Sequence, residues 1–305
     1  MSTKPLVSII LPTYNRAQVI ERAVKSILSQ TYSNFELFII DDGSIDNTVD
    51  IISSFKDERI NCIKSKDNSG QVVARNMGLK QIKGKYIAFL DSDDEWYKNY
   101  LKRQIDVLSG LDDDYGLVYC KCRRLAGNNI SYIPSRVIRE EEVKFELLGE
   151  NFTTLQGVLL KGRCLDKCGY LDENMPALED WDFFIRLSNI CKFRYNDEVL
   201  VTMQASIDGA NDNIAHRIKS REYILKKHSE SLRVHPDVLA NHYYTLATEY
   251  AFLKDKANVI KYSEKVLNLK SKGLNSSLIL FLAKLNINLC VLFIKLQIKM
   301  RNLFK

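Results

Sequence analysis

The chain is predicted to be an α/β protein: a mostly parallel sheet with helices on both faces, followed by an α-helical C-terminal region. Three observations predict this. Apolar strand-like runs alternate with helix-period segments through residue 90, two of those runs end in acidic turns, and past Asn213 the pattern is helical to the end. Strands that alternate with helices build parallel βαβ units.

Val7–Leu11 is a short continuous apolar run, the pattern of a strand buried on both faces. In Val19–Gln30, residues Val19, Ile20, Ala23, Val24, Ile27 and Leu28 recur at helical spacing. Phe35–Ile40 is the second strand, and Thr48–Phe55 a helix with Asp46 or Asn47 as its cap. Ile60–Ser65, Gly70–Ile82 and Tyr86–Leu90 continue as strand, helix and strand. Between Asp112 and Met203 the signal is mixed, with strands at Leu117–Cys122 and Val158–Leu160 and a helix at Trp181–Asn189. A boundary near residue 210 divides a sheet domain (1–210) from a helical region (211–305).

Within that region, His242–Lys270 resembles a single tetratricopeptide unit through Tyr243, Leu246, Ala247, Tyr250, Ala251, Ala257, Tyr262 and Leu267. One such unit cannot bury its own face, so a helical hairpin packed on the sheet domain is the alternative. Residues 274–305 read as one basic amphipathic helix, apolar at Leu278, Leu282, Leu285, Leu289, Leu292, Leu296 and Met300. Lys284, Asn286, Asn288 and Lys295 interrupt the run, which argues against a membrane span and for contact with an anionic membrane surface. Burial against the helical hairpin, or a contact in a homo-oligomer, are the competing expectations.

The net charge of +6 is a property of this tail. Seven Lys and Arg and no acid lie between Val266 and Lys305, so the rest of the chain is close to neutral and no nucleic-acid partner is expected. The seven cysteines lack zinc-ligand spacing and read as reduced thiols of a cytoplasmic protein. Met1–Pro5 leads directly into the first strand-like run, so no cleaved signal is expected. The expected location is cytoplasmic, peripheral on the inner face of the membrane.

Chemistry concentrates at the acidic turns. Phe35–Ile40 ends in Asp41-Asp42-Gly43-Ser44, and Tyr86–Leu90 in Asp91-Ser92-Asp93-Asp94. Three carboxylates within four residues repel one another unless a cation sits between them. Open α/β sheets bind ligands at the carboxyl edge of their strands, so a metal-bound nucleotide is suspected. A turn and helix cap is the plainer reading of Asp41 and Asp42. Glu179-Asp180-Trp181-Asp182 is a third acidic group, readable as simple helix-start acids.

Five motifs in order, Val7-Ser8-Ile9-Ile10-Leu11-Pro12-Thr13-Tyr14-Asn15, Asp41-Asp42-Gly43-Ser44, Ala74-Arg75-Asn76-x-Gly78, Asp91-Ser92-Asp93-Asp94 and Glu179-Asp180-Trp181-Asp182, together resemble the family 2 glycosyltransferases, inverting enzymes with the GT-A fold. The likeness runs from residue 6 to about 205. It implies a UDP-sugar donor and a saccharide or lipid-linked acceptor in surface polysaccharide assembly. Pro12, Thr13 and Tyr14 would line the base pocket, Asp42 would accept the uracil imide N–H, and Asp41 would reach base or ribose. Arg75 is matched to the nucleotide, with a structural ion pair as the alternative. Asp93 would bind Mn2+ or Mg2+ directly. Asp91 would reach the ion or the ribose, with Ser92 beside them on the nucleotide. Asp180 corresponds to the general base and Glu179 to a residue that places the acceptor. A helix N-terminus favours the charged form of a carboxylate, so Asp180 is expected to have a lowered pKa. Trp181 reads as core rather than a sugar platform. The loop at Asp208–Asn213 departs from the family pattern, leaving His216 and Arg217 as the nearest candidates to touch a diphosphate.

Other classes fit less well. A nucleotidyltransferase needs a Gly-rich basic phosphate loop, and Pro12–Gln18 supplies only Arg16. A D-x-D-x-[TV] phosphatase meets Glu95 at the threonine position, and a dinucleotide oxidoreductase lacks its G-x-G-x-x-G. An inactive scaffold with a partner-binding helical region is opposed by the joint presence of Asp42, Asp93 and Asp180.

Overall fold

The computed structural model describes residues 4–204, 213–269 and 274–303. Its first four strands, β1 (Val7–Thr13), β2 (Phe35–Asp41), β3 (Ile60–Lys64) and β4 (Tyr86–Phe89), pair in parallel in the order β3-β2-β1-β4. They are linked by helices α1 (Ile20–Leu28), α2 (Thr48–Ser54) and α3 (Gln71–Leu79). Every residue of β1 is buried, which is why its sequence is continuously apolar rather than alternating. Val7, Ile9 and Leu11 pack with Ala23, Val24 and Ile27 of α1. Ile10 points to the opposite face, where α3 presses so close that a Cβ on Gly78 would stand 3.0 Å from its Cδ1.

At β4 the sheet changes direction. β8 (Val158–Lys161) pairs with it antiparallel, and the sheet continues through β6 (Tyr115–Ala126) and β9 (Lys192–Gln204) to β5 (Glu95–Trp96). β7 (Asn129–Ile133) forms a hairpin on β6. Helices α4 (Tyr100–Ser109), α5 (Val143–Gly149), α6 (Gly162–Cys168) and α7 (Glu179–Ser188) belong to this half. The strand β9 has no counterpart in the sequence reading. Its pairing with β6 shifts register near Tyr115, Cys120 and Lys121, so the alternation that would mark a strand is broken.

The chain divides into two compact units. Among the described residues, one takes in 4–173 and 179–204, the other 174–178 and the helices from 213 onward. The second unit is a succession of helices: α8 (Ile214–Lys227), α9 (Ser229–Arg233), α10 (Pro236–Phe252), α11 (Lys256–Asn268), α12 (Leu274–Leu285) and α13 (Ile287–Leu303). From α10 on, each packs against the next, so the tetratricopeptide-like pair does not have to bury its face alone. The tail expected as one helix is two. Asn286 interrupts it, and its side-chain oxygen accepts the Asn288 N–H at 2.8 Å, restarting a helix as a cap does. Among the described residues, no helix is long and apolar enough to cross a membrane.

Candidate active site

The tips of β1, β2 and β4 lie side by side. Thr13 is in register with Asp41, and the Leu90 N–H donates to the Ile10 carbonyl. The turns after β1 and β2 are laced together: Asn15, in the left-handed region at φ 51°, donates its N–H to Ser44 Oγ and accepts the Ile45 N–H. Asp46, rather than Asn47, supplies the cap of α2 through the Thr48 N–H at 3.0 Å. Pro12 and Thr13 are buried, while the Tyr14 ring is open to solvent.

The two acids after β2 serve different ends. Asp42 accepts the backbone N–H groups of Ser69 (2.9 Å) and Gly70 (2.7 Å), fixing the entry to α3. Asp41 is fully buried; one oxygen accepts the Ser44 N–H and the other has no hydrogen-bond partner.

At the tip of β4 the carboxylates are crowded. Burial, followed by repulsion from Asp91, raises the Asp93 pKa, with Arg16 and Arg22 opposing. Asp94 is pushed up further by burial and by Asp91 and Asp93, while its carboxylate accepts the Gln204 N–H at 2.9 Å. Asp91 is committed to the protein: one oxygen takes Arg75 Nη2 at 2.7 Å, the other the Gln156 amide. Ser92 is buried. No described side chain donates a hydrogen bond to Asp93, which leaves its oxygens as the available hard donors.

That arrangement fits a divalent cation. The acids resist ionising together, and a magnesium- or manganese-sized ion would relieve the repulsion while taking most of its ligands from phosphate and water. Among the described residues no three His, Cys, Asp or Glu side chains are disposed to hold a metal by themselves. A site of this kind, centred on Asp93, needs the ligand to complete it.

Arg75 joins this tip to α7. Its Nη1 lies 2.6 Å from Glu179, which also accepts the Gln71 amide at 3.0 Å. Arg75 is therefore the ion-pair bridge between Asp91 and Glu179, and Glu179, buried beneath it, is oriented by Arg75 and Gln71. Leu178, immediately before α7, sits in the left-handed region at φ 59°, a strained placement for a bulky residue. Asp180 follows on the first turn, with Asn151 Nδ2 at 3.0 Å from one oxygen and the Trp181 N–H at 2.7 Å from the other.

The lowered pKa expected for Asp180 is overturned. Burial and then the neighbouring Glu179 push it up to about 7, against the pull of Arg75, the Trp181 N–H and Asn151. The helix terminus loses because desolvation of a carboxylate outweighs the partial charge at a helix end. A carboxylate that titrates near neutrality is well matched to taking up a proton.

Trp181 is core: it is 3% exposed, and its indole N–H donates to the Leu147 carbonyl. Asp182 is fully buried and pairs with Arg186 at 2.8 Å, a structural contact. The sequence does not single out Gln71, Asn151 and Gln156, because isolated neutral amides carry no signal of their own. His216 is exposed on α8, and Arg217 pairs with Glu249 at 3.0 Å, both in the helical unit. The unmatched stretch 208–212 lies outside the described residues.

Comparison with known proteins gives a consistent answer. The family model described as glycosyl transferase family 2 matches residues 8–163. An uncharacterised glycosyltransferase of Rickettsia prowazekii (strain Madrid E) is 33% identical over 202 residues, 65% of this chain and 63% of that protein. The chain thus matches less than two thirds of that relative's length. The Escherichia coli protein WfgD, named UDP-Glc:alpha-D-GlcNAc-diphosphoundecaprenol beta-1,3-glucosyltransferase, is 41% identical over 183 residues, 60% of this chain and 69% of that one. Among solved structures, Staphylococcus aureus TarS 1–349 in complex with UDP-GlcNAc superposes with a TM-score of 0.66 at 18% identity, covering 93% of this chain and 89% of that one. The mannosyltransferase PcManGT of Pyrobaculum calidifontis, in complex with GDP-Man and Mn2+, gives 0.58 at 18% identity, covering 92% and 79%. The fold is GT-A, and with half of its length matched by the family model the chain belongs to glycosyl transferase family 2.

Proposed function

We propose that the chain is an inverting, metal-dependent glycosyltransferase that moves a sugar from a UDP-sugar to a hydroxyl of a saccharide or lipid-linked saccharide. The observation that carries this reading is the Arg75 bridge. One guanidinium holds Asp91 at the β4 tip and Glu179 at the start of α7 and feels the charge of Asp180, which brings the two acidic groups into one neighbourhood.

Asp93 would hold Mn2+ or Mg2+, which when bound neutralises charge on the departing diphosphate. Pro12, Thr13, Tyr14, Asp41 and Asp42 surround the base and ribose. Asp180 accepts the proton of the acceptor hydroxyl as its oxygen bonds to the anomeric carbon and the carbon–diphosphate bond breaks on the far side, releasing UDP. No covalent enzyme intermediate is needed. WfgD and the teichuronic acid protein TuaG of Bacillus subtilis, with 46% identity over 107 residues, carry names that support surface polysaccharide assembly. An acceptor on a lipid carrier puts the reaction at the inner face of a membrane, with the protein peripheral to it.

The test is UDP release against a panel of UDP-sugars with Mn2+ and candidate acceptors. Asp180→Asn is expected to keep UDP binding and lose transfer by about 10²-fold or more, while Asp93→Ala loses metal-dependent binding as well. Full turnover by Asp180→Asn would remove it as the base.

A further inference from the structure

The helical unit uses only one side of its last two helices. Ile279 and Ala283 of α12 and Cys290 and Ile294 of α13 are buried with Ala251 and Val259 of α10 and α11. The other side is covered by nothing among the described residues, yet it is apolar. On α12 the exposed large residues are Leu278, Phe281 and Leu285; on α13 they are Leu289, Leu292, Leu296, Ile298 and Met300. Phe281 and Leu285 stand 58% and 61% open and Leu292 55%, far more than a terminal helix tucked into a core would leave.

The spacing is as informative as the exposure. At about 100° per residue, the α12 set and four of the five residues on α13 each fall within an arc of about 80°, with Ile298 on the other side of its helix, so both present a narrow apolar stripe. Scattered surface leucines would not do this. Lys284 on α12 and Lys295 and Lys299 on α13 lie to the same side of their respective stripes, and all three are exposed. No acid occurs from Val266 to Lys305. Lys284 reaches back to Glu264 at 3.3 Å, a surface pair that leaves the charge of α13 uncompensated.

We infer that α12 and α13 form an in-plane membrane-docking surface, whose leucine and phenylalanine stripes enter the acyl boundary of an anionic bilayer while Lys284, Lys295 and Lys299 meet lipid phosphates. A stripe flanked by cations and free of carboxylates matches the negatively charged boundary of a lipid leaflet. The break at Asn286 suits the role: two short helices can both lie flat on a surface, and neither is able to span it. This deepens the placement of the reaction at a membrane, and rests on it for its meaning.

Flotation of the full chain with vesicles tests it. Wild type is expected to float with phosphatidylcholine vesicles containing phosphatidylglycerol, and at least about tenfold less with phosphatidylcholine alone. Leu292→Ser/Leu296→Ser should lose flotation on both. Lys295→Gln/Lys299→Gln should lose the preference for anionic lipid. These positions are exposed, and circular dichroism of each variant confirms that the helices persist. Undiminished flotation of the leucine variant would overturn the surface while leaving a membrane location intact; a wild type that ignores both vesicles would overturn both. Wild-type dimers that the leucine variant converts to monomers, without vesicle binding, would assign the face to self-association instead. UDP binding read on the same samples keeps the donor reading separate.

Discussion

Arg75 is where the fold and the proposed chemistry depend on a single side chain. It is 3% exposed and binds two carboxylates from distant parts of the chain. Replacing it with methionine leaves buried Glu179 and half-buried Asp91 without their cation, an arrangement that typically costs about 3–5 kcal/mol. Urea denaturation of Arg75→Met is expected to show a loss of that size; a loss below about 1 kcal/mol would mean that the bridge contributes little. Asp180 gives a prediction with a definite sign. Its folded pKa of about 7 lies above the ordinary carboxylate value, so the native state holds a proton that the unfolded chain releases. That group's contribution to stability falls as pH rises from the ordinary carboxylate range through about 7. Asp180→Asn should therefore match wild type near pH 4 and exceed it by up to about 4 kcal/mol near pH 8, read as Tm against pH. Wild-type transfer should rise over the same interval as the base loses its proton. The acids were legible in sequence because clustered charge is conspicuous. The Asp180 pKa was not, since its burial and its contacts with distant residues such as Asn151 and Arg75 are set by the tertiary fold.

At the scale of the element, α3 shows why Ala74-Arg75-Asn76-x-Gly78 is a unit. Arg75 faces the acids, and Asn76 clasps the backbone of Leu171, donating to its carbonyl at 2.9 Å and accepting its N–H at 3.1 Å. Gly78 lets the helix lie against β1 and β2, since a Cβ there would meet Ile40 Cδ1 at 2.7 Å and Ile10 Cδ1 at 3.0 Å. Gly78→Ala is expected to cost about 1–3 kcal/mol by overpacking and to tilt Arg75 away from Asp91. Denaturant midpoint and UDP affinity should fall together, and an unchanged midpoint would show that the isoleucines yield freely. Parallel strands were legible because burial on both faces makes them plainly apolar. The bulged β9 and the restart of the helix after Asn286 were not, because irregular pairing and a single capping amide leave almost no periodic trace.

For the whole molecule, the proposed donor site predicts a ligand response. UDP with Mn2+ at about one hundred times its Kd should stabilise the sheet unit by about 2.7 kcal/mol, visible as a rise in Tm, whereas UDP with chelator should give far less. Equal shifts with and without the ion would reject metal dependence. The sequence carries a change from mixed to helical periodicity near residue 210, but nothing that would group 174–178 with the helices. What the sequence did not carry is the reversal of strand direction at β4, because pairing partners distant along the chain are invisible in local pattern. That reversal has a consequence for substrate choice. Everything assigned to the nucleotide lies on the β3-β2-β1-β4 side, while β8, β6, β9 and β5, with β7 on β6, form the other block, hydrogen-bonded to it between β4 and β8 and sharing a hydrophobic cluster with it. Chimaeras that exchange the block between relatives while retaining Gln156 and Asn151 should inherit acceptor choice from one parent and sugar-nucleotide choice from the other.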